Sequence, residues 1–142
     1  MKTFVIFTTI MIGSLTGSVS VQKRYAVQST TNLEKFIQAV KEKEQGPYES
    51  NNAYEIHYVF FKDAKEQLQK EGLLTPIYYS ELAYDDWLCR VVIAAYFRRH
   101  ARYALETKDW YTLARIYNGG PKGYNKWKTR EYAECIVNLT ME

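Results

Sequence analysis

Apolar residues recur at helical spacing along this 142-residue chain, and no stretch shows the strict alternation expected of a half-buried β-strand. The first predicted helix opens at the capping-box pattern Thr31–Glu34 and ends near Gln45, because Gly46-Pro47 follows. A second helix is predicted between Asn52, a capping residue, and Gly72, a helix-terminating one.

Three further helices are predicted in the second half of the chain. One begins at Asp85-Asp86, two acids suited to the positive end of a helix dipole, and continues towards Glu106. The next spans about Lys108 to Asn118, and the last runs from about Thr129 to Leu139. The fold class predicted from these patterns is mainly α, a small domain of about five helices.

The N-terminus has the pattern of a secretory signal peptide. Lys2 precedes a short apolar core, and small residues ending in Ser18–Ser20 follow it. The apolar run is too short for a comfortable membrane span, although an uncleaved anchor is the alternative. The pattern therefore predicts a signal peptide at 1–20, a leader at 21–30 and one helical domain at 31–142, in a secreted or periplasmic protein with no stable membrane anchor after cleavage.

The charge of the chain narrows its possible partners, and its two cysteines raise the question of a disulfide. The chain has 19 basic and 16 acidic residues, a net charge of +3, and loss of residues 1–20 removes one Lys and leaves +2. That excess suits an anionic wall polymer and is too small to indicate nucleic acid. Cys89 and Cys135 are either a disulfide of an exported protein or two thiols buried on apolar helix faces. No spacing of Cys and His indicates a metal site, and no cofactor is predicted.

The segment Leu113–Tyr124, which reads LARIYNGGPKGY, predicts a helix that stops abruptly. Gly119–Pro121 supplies the backbone freedom that a helix end needs and prevents the helix from resuming. Tyr117 and Asn118 are thereby placed at the end of the helix, where a phenol and an amide could line a binding cleft. An ordinary helix cap explains the same residues, since this is common turn chemistry.

Three blocks, in the same order, resemble the lysozyme-like superfamily, in particular soluble lytic transglycosylase-like domains and invertebrate-type lysozymes. Glu44-Gln45-Gly46 stands where the family has Glu-Ser-Gly after an apolar helix, and Ala53–His57 stands where it has Gly-Ala/Leu-Gln-Ile. The third and most specific block is Ala114–Gly123, which matches the family's Ala-Arg-Ile-His/Tyr-Asn-Gly-Gly-Pro-x-Gly without a gap. The resemblance covers roughly Leu33 to Val137.

The resemblance implies cleavage of the β-1,4 link between N-acetylmuramic acid and N-acetylglucosamine in peptidoglycan. Its proton donor would be Glu44, at the end of an apolar helix where partial burial and the helix dipole favour the protonated form. Glu55 occupies the position of the family's Gln and is the candidate second carboxylate, as nucleophile or as base for a water. A lytic transglycosylase would need no second carboxylate, because a hydroxyl of the sugar itself completes the displacement.

The resemblance also implies a set of substrate-binding residues around these carboxylates: Tyr54, His57, Tyr117, Asn118 and Gly119. The alternative is a catalytically degenerate lysozyme-like module that binds glycan or a protein partner without cleavage. Gln45 and Glu55, which depart from the family pattern, are the residues that keep this alternative open.

Overall fold

The computed structural model describes residues 31–45, 52–73 and 75–141, so the predicted signal peptide and leader lie outside the described residues. The described part is mainly helical and contains no strand. It has six α-helices: α1 (Thr31–Glu44), α2 (Tyr58–Lys70), α3 (Asp86–His100), α4 (Arg102–Glu106), α5 (Trp110–Gly119) and α6 (Arg130–Met141). Short 3₁₀ turns occupy Tyr79–Ala83, Gly123–Asn125 and Trp127–Thr129. None of these helices is long and apolar enough to cross a bilayer.

The sixth helix arises because the predicted third helix is interrupted at Ala101. This residue leaves the helical region, with φ of −144° and ψ of 33°. Its N–H donates to the Phe97 carbonyl at 2.8 Å, and its carbonyl accepts from the Leu105 N–H at 2.9 Å. Backbone hydrogen bonds therefore continue across the interruption. No Gly or Pro stands near it, so the sequence carries no local signal for the break.

The second helix begins at Tyr58 and not at Asn52, because the Asn52 side chain folds the intervening residues into a turn. Its Oδ1 accepts from the N–H groups of Tyr54 at 3.2 Å and Ile56 at 3.0 Å. Its Nδ2 donates to the Ile56 carbonyl at 3.1 Å. A short amide side chain that satisfies the backbone in this way competes with helix formation. Within the turn, Glu55 takes a positive φ of 50°.

The core forms where one apolar face of each long helix meets its neighbours. Helix α2 packs on α3, and α6 packs on both α1 and α5, so the first and last described helices lie side by side. The Phe36 ring stacks on Trp110 at 5.5 Å and meets Phe97 edge-on at 5.8 Å. The largest side chains with almost no exposure are Tyr54, Phe36, Phe97, Ile37, Ile56, Leu68, Ile93, Leu113 and Ile136.

Both cysteines are free in the structure, so the possible disulfide is not formed, and of the two thiols Cys89 is buried and Cys135 is half-buried. Cys89 is buried on α3, and its thiol donates to the Leu82 carbonyl at 3.3 Å. The thiol therefore faces the turn that precedes α3 and does not reach Cys135 on α6. Burial is the main reason that the pKa of Cys89 rises to about 12, so its thiol stays protonated.

Candidate active site

Glu44 is the last residue of α1, and its side chain is half-buried against α6. Its Oε1 accepts a hydrogen bond of 2.6 Å from the hydroxyl of Tyr132. Tyr132 lies on α6, whose buried residues Ala133 and Ile136 hold that helix in the core. Tyr132 is absent from the residues predicted on sequence grounds, because nothing in its own neighbourhood distinguishes it from the other tyrosines.

The environment of Glu44 favours the protonated carboxyl. Burial is the largest cause of its raised pKa, and both the charge of Glu55 and a hydrogen bond with the Glu55 side chain act in the same direction. The hydrogen bond from Tyr132 lowers this pKa, and the charge of Lys43 lowers it to a smaller degree. The charge of Glu55 thus opposes ionisation of Glu44.

Glu55 reaches this position through the turn that Asn52 folds. Its N–H donates to the Asn52 carbonyl at 3.1 Å, and its positive φ directs the side chain differently from that of a helical residue. Glu55 is exposed, whereas Tyr54 and Ile56 on either side of it are buried. The two buried neighbours anchor the turn, so an exposed carboxylate is held beside a half-buried one.

Tyr117 joins the same cluster from α5. Its hydroxyl donates to the backbone carbonyl of Tyr54, and its ring lies 5.3 Å from the ring of Phe60. Burial raises the pKa of Tyr117, and the charge of Glu44 is the next largest cause. Burial and the Glu44 charge likewise raise the pKa of Tyr132. Four side chains from distant parts of the chain therefore converge, and we call Glu44, Glu55, Tyr117 and Tyr132 the carboxyl–tyrosine cluster.

Tyr54 supports this cluster from the core and is too deeply buried to contact a substrate. Its side chain is fully buried, and its hydroxyl donates to Asp86 Oδ1 at 2.8 Å. Asp86 also accepts from Lys41 at 2.7 Å and from Arg90 at 2.7 Å. The expected sugar contact of Tyr54 is therefore replaced by a supporting role, in which its backbone carbonyl positions Tyr117.

The remaining predicted binding residues differ in how accessible they are. His57 is the N-cap of α2, is exposed and makes no side-chain capping bond, and Asn118 is exposed at the end of α5. Gly119 is constrained by packing, since a Cβ there would lie 2.7 Å from Thr129 Cγ2. Its carbonyl accepts from Lys126 Nζ at 2.5 Å. His57 and Asn118 remain able to contact a ligand, whereas the contacts of Gly119 are structural.

The glycines that follow α5 are explained by close backbone approaches. Gly120 ends the helix with a φ of 79°, a conformation that favours glycine. A Cβ on Gly123 would lie 1.9 Å from the Arg115 carbonyl oxygen. The Arg115 side chain in turn donates to the Lys126 carbonyl at 2.8 Å and to Thr129 Oγ1 at 3.0 Å. The Asn-Gly-Gly-Pro-x-Gly pattern thus closes a tight connection between α5 and α6.

Within the described residues, no group of three or more His, Cys, Asp and Glu side chains is placed to hold a metal ion. No family model, curated protein or solved structure gives a significant match to this chain. The candidate active site is accordingly defined by the contacts of the carboxyl–tyrosine cluster.

The Tyr132 hydroxyl stabilises the ionised form of Glu44, so its removal should raise the pKa of Glu44 further. We expect Tyr132→Phe to keep Glu44 protonated to a higher pH than in the wild type. We also expect a loss of about 1 kcal/mol in the free energy of unfolding, from the hydrogen bond that disappears. A ¹³C NMR titration of the Glu44 carboxyl measures the first effect, and urea denaturation measures the second. A Glu44 pKa that falls in the variant contradicts the role given to Tyr132.

Proposed function

We propose that the protein is a secreted enzyme that cleaves the β-1,4 link between N-acetylmuramic acid and N-acetylglucosamine in peptidoglycan, with Glu44 as its general acid. The observation that carries the proposal is the half-burial of the Glu44 carboxyl, which together with the charge of Glu55 raises its pKa. A carboxyl with a raised pKa is suited to donate a proton to a leaving group at neutral pH. Secretion rests on the sequence pattern of residues 1–20.

In the proposed reaction, Glu44 protonates the glycosidic oxygen as the bond from that oxygen to the anomeric carbon breaks. Positive charge develops on the sugar ring, and the Glu44 carboxylate left behind stabilises it electrostatically. A hydroxyl of the same sugar then attacks the anomeric carbon and gives its proton to Glu44. The products are an anhydro sugar and a free hydroxyl on the neighbouring sugar, and Glu44 regains its starting protonation.

The influence of Glu55 on Glu44 favours this transglycosylase route over hydrolysis. A retaining glycosidase separates its carboxyls by about 5 to 5.5 Å, and an inverting one by about 6.5 to 9.5 Å to admit a water. Glu55 instead acts on Glu44 itself, because its charge and its side chain both raise the pKa of that carboxyl. We therefore assign Glu55 to holding the proton on Glu44, and we give it no step as a nucleophile or as a base for water.

Glu55→Gln separates these two roles of the second carboxylate. Loss of the Glu55 charge should lower the pKa of Glu44, so fewer molecules carry the catalytic proton at neutral pH. We expect activity to fall about tenfold at neutral pH and to recover as the pH is lowered. The pH dependence of kcat on purified peptidoglycan provides the measurement. An activity lost equally at every pH would instead assign Glu55 a direct chemical step.

The proposed function is tested by turbidity loss of purified cell walls, followed by mass spectrometry of the soluble fragments. Anhydro-muramyl ends are expected from the transglycosylase route, and reducing ends that incorporate ¹⁸O from labelled water indicate hydrolysis. Binding to walls without release of fragments would reject the enzyme and leave a non-cleaving glycan-binding module on this scaffold. Neither binding nor release would reject a role on peptidoglycan altogether.

A further inference from the structure

The connection between α5 and α6 presents basic and aromatic side chains to solvent. Trp127 is 77% exposed and Tyr124 is 46% exposed, and the two rings stand three residues apart in the same short connection. Lys122, Lys128 and Arg130 are exposed beside them. We call these five residues the basic–aromatic surface.

This surface stands on a rigid base. Between Pro121 and Arg130 only Gly123 and Thr129 are buried, and both fasten the segment to neighbouring backbone. Gly123 lies against the carbonyl of Arg115, and Thr129 Oγ1 is 2.9 Å from the Gly123 carbonyl and 2.7 Å from that of Lys126. The exposed side chains are therefore presented by a connection whose backbone is already ordered, which lowers the entropy lost on binding.

The charge of this region is unbalanced. From Trp110 to Arg130 the sequence contains no Asp or Glu, although the whole chain has 16 of them. Several arginines on other helices pair with acids: Arg98 contacts Glu71 at 2.7 Å, for example. None of the ion pairs among the described residues involves Lys122, Lys128 or Arg130. A surface whose cations make no ion pair attracts anionic groups.

The composition of the surface favours an anionic glycan polymer over a lipid bilayer. The segment 121–130 has no Leu, Ile, Val, Phe or Met side chain to insert among acyl chains. Indole and phenol rings instead offer flat faces on which sugars can stack, with polar edges that remain hydrated. Basic side chains alongside can pair with carboxylates that a sugar chain carries.

We propose that the basic–aromatic surface binds the free carboxylates of peptidoglycan, so that the protein prefers glycan strands bearing anionic peptides over neutral strands. This inference rests on the proposed function and names the substrate class of the same enzyme. Lys122, Lys128 and Arg130 pair with the carboxylates, and Trp127 packs on an adjoining sugar or peptide. The basic–aromatic surface adjoins the start of α6, the helix that carries Tyr132. It therefore retains the protein on the polymer that the carboxyl–tyrosine cluster cleaves.

The test measures sedimentation with insoluble peptidoglycan, using full-length protein with Glu44→Gln to prevent lysis. One sample of the polymer is left intact, and in another the carboxylates are converted to neutral amides with carbodiimide and methylamine. Amidation should weaken binding about tenfold, as expected for the loss of several exposed ion pairs. Added salt should weaken binding to the intact polymer and have little effect on the amidated one.

Two variants, each with a matched control, locate the effect. Changing Lys122, Lys128 and Arg130 together to Gln should weaken binding to intact polymer about tenfold and cause no further loss on the amidated polymer. The charge-matched control changes Lys35, Lys62 and Lys70 to Gln, three exposed residues on α1 and α2, and should bind like the parent protein. Trp127→Ala should weaken binding to both polymers, whereas Tyr103→Ala, which removes another exposed ring, should weaken neither.

Equal binding of the two triple variants, or of intact and amidated polymer, overturns the inference. So does a triple variant that loses binding to phosphatidylglycerol-containing vesicles while its binding to peptidoglycan is unchanged, because the surface would then belong to a membrane. Wall lysis by the protein without Glu44→Gln is scored separately. Lysis without carboxylate-dependent binding rejects only this inference, and carboxylate-dependent binding without lysis rejects only the proposed cleavage.

Discussion

Glu44→Gln should reduce the rate of wall lysis by at least about a hundredfold, the scale expected when a general acid is removed. The amide has nearly the same shape as the acid and can still accept the hydrogen bond from Tyr132, so the local packing is preserved. It cannot supply a proton to a leaving oxygen. Initial rates of turbidity loss, measured across the pH range at matched protein concentration, give the size of the effect.

The matched control is Glu42→Gln on the same helix. Glu42 is exposed, and it accepts a hydrogen bond of 3.1 Å from Gln38. This change removes the same charge from the last turns of α1 without touching the carboxyl–tyrosine cluster, and it should leave lysis unchanged. If the wild type lyses walls and Glu44→Gln lyses them at the same rate, Glu44 takes no part in the mechanism.

Gly123→Ala should destabilise the fold more than the loss of the Tyr132 hydroxyl does. Its Cβ would lie 1.9 Å from the Arg115 carbonyl oxygen and 2.7 Å from the carbonyl carbon, and these backbone atoms belong to a helix that cannot yield easily. Forcing α5 away from the connection should cost about 3 kcal/mol or more in the free energy of unfolding. Urea denaturation followed by circular dichroism measures the loss, and an unchanged slope with denaturant shows that it arises in the folded state.

Gly72→Ala separates steric crowding from backbone strain. Gly72 has a φ of 93°, and a Cβ there would have no other atom within 4 Å, so alanine meets only the cost of the left-handed backbone. That cost is about 1 to 2 kcal/mol. A Gly123→Ala variant as stable as Gly72→Ala would mean that α5 and its connection to α6 are not in such close contact.

Helices that are indicated by residues close together in the chain could be predicted from the sequence. The apolar spacing of α1 indicates a helix with one buried face, because each apolar residue contributes independently to that pattern. Asp85 and Asp109 precede α3 and α5 and accept from the N–H groups of Leu88 at 2.9 Å and Thr112 at 3.0 Å. Such caps involve residues three apart and are therefore recognisable without knowledge of the fold.

Features that depend on tertiary contacts could not be predicted in this way. Asn52 looks like a helix cap, yet its amide folds a turn whose neighbours Tyr54 and Ile56 are buried in the core. No Gly or Pro near Ala101 indicates the helix break there. Tyr132 is recognisable only once α6 is known to pack against α1. Each of these outcomes is decided by packing between segments that the sequence pattern does not pair.

The glycines after α5 show how one pattern can support two interpretations. Their spacing predicts a cleft wall, and Gly120 and Gly123 prove necessary for a positive φ and for a close backbone approach. A requirement of the backbone explains these residues without any ligand. The residues proposed to act in catalysis are instead the side chains that this connection helps to bring together, above all Tyr132 and Glu44.

The hydrogen bond between Glu44 and Tyr132 joins residues 88 positions apart. Ribosomes deliver α1 before α6, so Glu44 emerges long before the helix that buries it and the hydroxyl that contacts it. A chain that stops before α6 would lack much of the burial that is the largest cause of the raised pKa of Glu44. Under the proposed function, cleavage would therefore depend on α6, and a chain truncated before it should be inert.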